Sequence, residues 1–120
     1  MPKPVLVIST LDTKGQETLY LKDKLSAIGL SPAVMDISGR GSDIAGIEIP
    51  AARVAEAGGG DFEEMKNSRD RTRITNIMMA GGARIAADLL ADGKLSGVVA
   101  LGGSTGSLMG SEIMRSLPFG

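Results

Sequence analysis

Two stretches of this sequence carry residue types that bind anions. Ser9-Thr10-Leu11-Asp12-Thr13-Lys14-Gly15 and Gly102-Gly103-Ser104-Thr105-Gly106-Ser107 each follow an apolar block and each lead toward a helical pattern. Glycine lets backbone approach a phosphate closely, free amides of a first helical turn donate hydrogen bonds, the helix dipole adds positive potential, and hydroxyls fill the gaps. Lys14 adds a mobile cation near a helix start, where the dipole disfavours positive charge, so it reads either as a solvated lysine or as the partner of an anion. Neither stretch is a standard fingerprint. Gly106 is followed by Ser107-Leu108 rather than the Lys-Ser/Thr of a Walker loop, and no Gly-x-Gly-x-x-Gly occurs.

Three further side chains could complete such a site. Asp36 ends an apolar run about twenty residues after the first helix begins, where dinucleotide-type folds place the carboxylate that accepts bonds from ribose hydroxyls. It reads equally as a turn-forming aspartate that bonds its own backbone. Arg40 could meet a phosphate. Asp12 is either a helix cap or a ligand to Mg²⁺ carried in with nucleotide phosphates.

The elements that would position these residues are legible in outline. Val5-Leu6-Val7-Ile8 reads as a central parallel strand covered on both faces. Thr13-Lys14-Gly15-Gln16 fits a capping box, Leu21, Leu25 and Ile28 recur at helical spacing, and Gly29 sits where a left-handed cap belongs. Ala33-Val34-Met35-Asp36-Ile37 is a second strand that ends in the glycine-rich loop Ser38-Gly39-Arg40-Gly41-Ser42. Residues 38–64 exceed the usual connection of about 2–6 residues and form an insertion or a flap, with a short helix from Pro50 stopped by Gly58-Gly59-Gly60.

Asp61-Phe62-Glu63-Glu64 opens a long helix in which Ile74, Met78, Ile85 and Leu89 share a stripe and which Gly93 ends. Gly81-Gly82 inside it marks a kink or a close backbone approach. Gly97-Val98-Val99-Ala100-Leu101 is a third buried strand, followed by the second glycine loop and a helix over 107–116. The expected architecture is α/β and Rossmann-like in three layers, a single domain over 1–120 with a short parallel sheet in the order 2-1-3. That order sets the two loops side by side at the carboxyl ends of strands one and three. The chain stops at Leu117-Pro118-Phe119-Gly120, where a fourth strand would normally follow, so an open sheet edge and a longer parent protein are expected.

Composition narrows the chemistry. The 120 residues include 17 glycines, against about 8 at roughly 7% average usage, and 42% are hydrophobic, which fits a globular chain rich in special backbone positions. With no cysteine and no histidine, thiol nucleophiles, disulfides, imidazole or thiolate zinc sites and any Ser-His-Asp triad are excluded. Net charge is -1, so nucleic acid and membrane partners are disfavoured. Lys66, Arg69, Arg71, Arg73 and Arg84 interleave with Glu63, Glu64, Asp70 and Asp88 and read as a solvated, ion-paired face. No leader or membrane span is evident near the N-terminus, and the expected location is cytoplasmic.

Ile8-Ser9-Thr10-Leu11-Asp12-Thr13-Lys14-Gly15, Met79-Ala80-Gly81, Gly97-Val98-Val99-Ala100-Leu101-Gly102-Gly103-Ser104 and the closing Met114-Arg115-Ser116-Leu117-Pro118-Phe119-Gly120 together resemble uncharacterised protein family 0261. That group is similar to the ATP-binding N-terminal half of the tomato mosaic virus resistance protein. The resemblance implies an ATP-binding, Rossmann-like region of a longer protein whose C-terminal half looks like a TIM barrel. By the same resemblance, Thr10, Asp12, Thr13 and Lys14, with Gly102, Gly103, Ser104, Thr105 and Gly106, are nucleotide contacts. The family's second loop more often reads Gly-Gly-Ser-Gly-Gly-Thr, whereas Thr105 and Ser107 stand here, and a β-branched residue at 105 restricts the backbone.

The candidate site is therefore Thr10, Asp12, Thr13, Lys14, Gly15, Asp36, Arg40, Gly102, Gly103, Ser104, Thr105 and Gly106, binding ATP with or without Mg²⁺. No catalytic residue and no metal-ligand set is assignable. The competing expectation is a non-catalytic assembly domain that associates with a second copy, or packs against a C-terminal part, through the open sheet edge or the long helix.

Overall fold

Val5-Leu6-Val7-Ile8 has no polar face, so it is satisfied only where both of its faces are covered. The computed structural model, which describes residues 3–41, 44, 46–101 and 113, supplies that cover. The run lies in β1 (Lys3–Ser9), which is followed by α1 (Leu11–Ala27), β2 (Leu30–Asp36), α2 (Ala51–Ala57), α3 (Phe62–Lys66), α4 (Arg71–Ala91) and β3 (Gly97–Leu101). The three strands form one parallel sheet in the order β2-β1-β3, as the sequence predicts. Leu6 and Ile8 pack on the face covered by α2 and α4, while Val7 packs with Leu11, Val34 and Leu25 on the face covered by α1. Ser9 is in register with Asp36 on one side and Leu101 on the other, so all three strands end at the same edge of the sheet.

Strand two begins at Leu30, three residues before the expected start, because Pro32 does not interrupt it. Asp36 N and Val34 O bond outward to Ile49, and Pro32, of the same parity, turns its ring nitrogen to that outer side where β1 needs no donor. The bridge between Met35 and Ile49 closes this end of the edge. Much of the long connection after β2 is thus core: Ile49, Ala51, Val54 and Ala55 are all buried. Strand three is half-buried along its length rather than buried, because no described strand pairs with its far edge.

The single long helix expected from Asp61 is two helices. Asp61 caps only α3, accepting from the amides of Glu63 and Glu64, and Asp70 caps α4 through the amide of Arg73. Gly29 and Gly93, both at positive φ, follow α1 and α4 as expected. Ile113, within the helix expected over 107–116, is helical and buried. The rest of that helix and the closing motif from Met114 lie outside the described residues.

The Gly81-Gly82 pair marks a close approach without a kink. A Cβ on Gly81 would collide with the carbonyl oxygen of Val54, and one on Gly58 would collide with that of Ile77 and lie 3.0 Å from Gly81 N. Helices α2 and α4 therefore touch backbone to backbone. Gly81→Ala should destabilise the protein by about 1–3 kcal/mol in urea unfolding, although alanine favours an isolated helix by about 1 kcal/mol. An equal or higher midpoint would show that the helices can separate at no cost.

Candidate functional site

The chain leaves β1 at Ser9 and turns at Thr10, the residue before α1. Thr10 O accepts from the amides of Thr13 (3.2 Å) and Lys14 (2.8 Å), and its hydroxyl lies 3.2 Å from that of Thr13. No capping box forms at Thr13. The helix starts earlier, at Leu11, and is interrupted at Lys14, whose φ of -120° and ψ of 27° are not helical. Asp12 is not the cap either, since Thr10 holds that place.

Asp36 holds the start of this turn. Its Oδ1 accepts from Leu11 N (3.3 Å), Ser38 N (2.9 Å) and Ser38 Oγ (2.6 Å), and the residue is 2% exposed. These are the bonds of a turn-forming aspartate, joining the β2 end to the start of α1. Burial pushes its carboxyl above the ordinary value of 3.8. The bonds from Ser38 and Leu11 oppose that shift, and the nearby charge of Asp12 adds to it.

At the shared strand edge lies a solvent-open cleft of about 960 Å³. Thr10, Asp12, Thr13 and Arg40 of the expected site line it together. Its apolar floor includes Met65 and Met78, and its far wall is the junction of α3 and α4. That junction brings Lys66, Arg69 and Arg71 to the cleft beside Arg40. None of these four cations has a carboxylate partner among the described residues; Lys66 lies over the Phe62 ring at 5.5 Å. The ion-paired face expected of this segment is correct for Arg73, which grips Glu64 with both terminal nitrogens at 2.9 and 2.5 Å. Lys66, Arg69 and Arg71 are exposed to solvent as expected but form no ion pair among the described residues.

The helix break at Asn67-Ser68-Arg69-Asp70 decides this, and its signal was present in the sequence: turn formers followed by a second capping aspartate. Other expected residues lie elsewhere. The Lys14 ammonium sits 3.6 Å from Glu17 and does not line the cleft. Gly15 makes room for the Ile44 side chain, since a Cβ at position 15 would come within 2.5 Å of Ile44 Cδ1. Gly102, Gly103, Ser104, Thr105 and Gly106 lie outside the described residues.

Chemically, the cleft can hold a polyanion. Four cations and several hydroxyls face one carboxylate, and the first turn of α4 adds the positive end of a helix dipole. No cluster of three or more potential metal ligands occurs among the described residues. A divalent cation would therefore rely on Asp12 and on the ligand's own oxygens.

The family comparison matches residues 3–120 to the Uncharacterised protein family (UPF0261) N-terminal domain. The chain belongs to this family. It is 35% identical over its full length to a UPF0261 protein of Clostridium tetani, covering 30% of that protein. A UPF0261 protein of Brucella suis is 33% identical across 97% of the chain, which covers 28% of the relative. One from Rhizobium meliloti is 32% identical across 98%, covering 29%. The chain thus spans less than a third of the length of these curated relatives.

Asp36 ties the cleft wall to the fold, and its ionisation sets a pH dependence. Because its folded-state value is raised, the folded state holds more protons than the unfolded state from pH 3.8 upward to that raised value. Its contribution is fully present below that window and declines as pH rises through it. In urea unfolding from acid to neutral pH, Asp36→Asn, which keeps the acceptor, should gain on the parent as pH rises. Asp36→Ala should cost about 1–3 kcal/mol at either extreme, because buried donors lose their partner. A pH-independent difference between the parent and Asp36→Asn would refute the raised value.

Proposed function

We propose that this chain is a nucleotide-binding domain that holds the phosphates of ATP, with or without Mg²⁺, in the cleft at the carboxyl edge of the sheet. The observation that carries this reading is the gathering of Arg40, Lys66, Arg69 and Arg71, none ion-paired among the described residues, opposite the hydroxyls of Thr10 and Thr13. Four cations that share a cleft with a single carboxylate and form no ion pair leave an excess of positive charge there, which a phosphate chain would balance. The Thr10-Leu11-Asp12-Thr13-Lys14-Gly15 motif is one on which the chain resembles its family, and the similarity expected between that family and the ATP-binding half of the tomato mosaic virus resistance protein supports ATP as the nucleotide.

In this reading the arginines grip phosphate oxygens in paired hydrogen bonds, and Thr10 and Thr13 donate from the opposite wall. Asp12 would be the carboxylate available to a cation that accompanied the phosphates. The role is ligand retention, and no reaction is assigned. A cytoplasmic location is part of the proposal. Among the described residues no helix is long and apolar enough to cross a membrane.

For the assembly reading, Gly81, Gly82 and Ala86 of the long helix are buried in the chain's own interior, so a partner on that helix would meet its exposed face, which includes Asn76, Ala80 and Arg84. Among the described strands the far edge of β3 is unpaired.

Calorimetric titration with ATP and Mg²⁺ tests the proposal. Saturating binding is expected, with stabilisation of about 2.7 kcal/mol at a hundredfold excess over Kd. Joint replacement of Arg69 and Arg71 by alanine should weaken it by about 100-fold, at roughly 1.5 kcal/mol or more per charged hydrogen bond. Lys14→Ala should change little, since that ammonium is spent on Glu17. No heat and no thermal shift at millimolar nucleotide would reject ATP binding.

A further inference from the structure

Ser9 and Thr18 are both fully buried, and their hydroxyl oxygens are 2.6 Å apart. Thr18 Oγ1 is also 2.6 Å from the carbonyl oxygen of Lys14. A hydroxyl has one proton to donate. The carbonyl can only accept, so the Thr18 proton goes to Lys14 O, and Ser9 must donate to Thr18. A directed relay therefore runs from the last residue of the central strand, through the body of α1, to the one residue where that helix is broken.

A threonine that bonds back to the carbonyl four residues earlier bends a helix. Here the bond falls on Lys14, whose backbone is out of the helical range. The turn over Thr10–Lys14 is thus held at both ends, at Leu11 by Asp36 and at Lys14 by Thr18. Between these two fastenings stand Thr10, Asp12 and Thr13, which line the cleft, while the Lys14 side chain leaves toward Glu17.

We infer that Ser9 and Thr18 are positioning residues of the anion cleft: their buried relay fixes the break at Lys14 and thereby sets Thr10, Asp12 and Thr13 on the cleft wall. Neither residue lines the cleft, and both act through the backbone. The inference rests on the phosphate-binding reading for its functional consequence and on local geometry for its structural one, so the two can fail separately.

The test compares Thr18→Val, which keeps shape and removes the hydroxyl, with Thr18→Ser, which keeps the hydroxyl. Thr18→Val leaves the Ser9 hydroxyl buried without its acceptor. The double variant Ser9→Ala with Thr18→Val removes both groups and stands in if the single variant fails to fold. The first readout, without ligand, is the amide-to-Hα coupling of Lys14, which is large at φ -120° and small in a regular helix. The second is titration with ATP and Mg²⁺.

Loss of the hydroxyl should drop the coupling toward the helical value and weaken nucleotide binding about ten-fold, the effect of one misplaced hydrogen bond. Thr18→Ser should restore both. If the folded hydroxyl-free variant keeps the parent's coupling, the relay does not fix the break and the inference is overturned. If the coupling changes while ATP affinity stays within two-fold, the relay shapes the turn without serving the cleft, which overturns the positioning role. If the parent binds no ATP, the phosphate-binding reading fails and with it the functional consequence, while the coupling still decides whether the relay fixes the break.

Discussion

The rest of the molecule depends on the double-sided burial of β1. Leu6, Val7, Ile8 and Ser9 have no exposed surface, so this strand needs a helical layer on each face and a strand on each edge. Those four neighbours can be supplied by parallel crossovers that leave β1 and β2 on opposite faces. The place where the crossovers diverge is the carboxyl end of β1, where backbone amides of a new helix face open space. The cleft opens beside that point, over the ends of β1 and β2.

The polar groups at that point serve the same constraint. The chain must turn within one residue between Ser9 and Leu11, and the turn is buried on its inner side, where each polar group needs a partner. Asp36, Ser38, Ser9 and Thr18 provide them, and no buried side-chain polar atom among the described residues lacks one. This network makes a short, broken first turn the low-energy conformation. On the outer side the same turn presents hydroxyls and one carboxylate to solvent. Across the gap, the α3–α4 junction contributes the solvent-exposed cations Lys66, Arg69 and Arg71. The backbone contact of α2 with α4 through Gly58 and Gly81 fixes how far that junction stands from the sheet.

What the sequence determined by itself are the features with a local physical cause. Two of the β-branched blocks lie in β1 and β3, and β3 has the expected bounds, because a short run with no polar face has few other homes. Gly29 and Gly93 marked helix ends because positive φ is cheap only for glycine. Thr10, Asp12, Thr13 and Arg40 were identifiable as cleft residues because they follow strands directly and carry anion-binding groups. The start of β2 was missed because the neutrality of Pro32 depends on which neighbour its nitrogen faces. Only the tertiary structure decided that Asp36 turns inward, that Lys14 pairs with Glu17, and that Lys66, Arg69 and Arg71 face the cleft. Each of those outcomes depends on a direction in space set by a helix break and by which groups are nearest across the fold, and spacing along the chain carries no information about either.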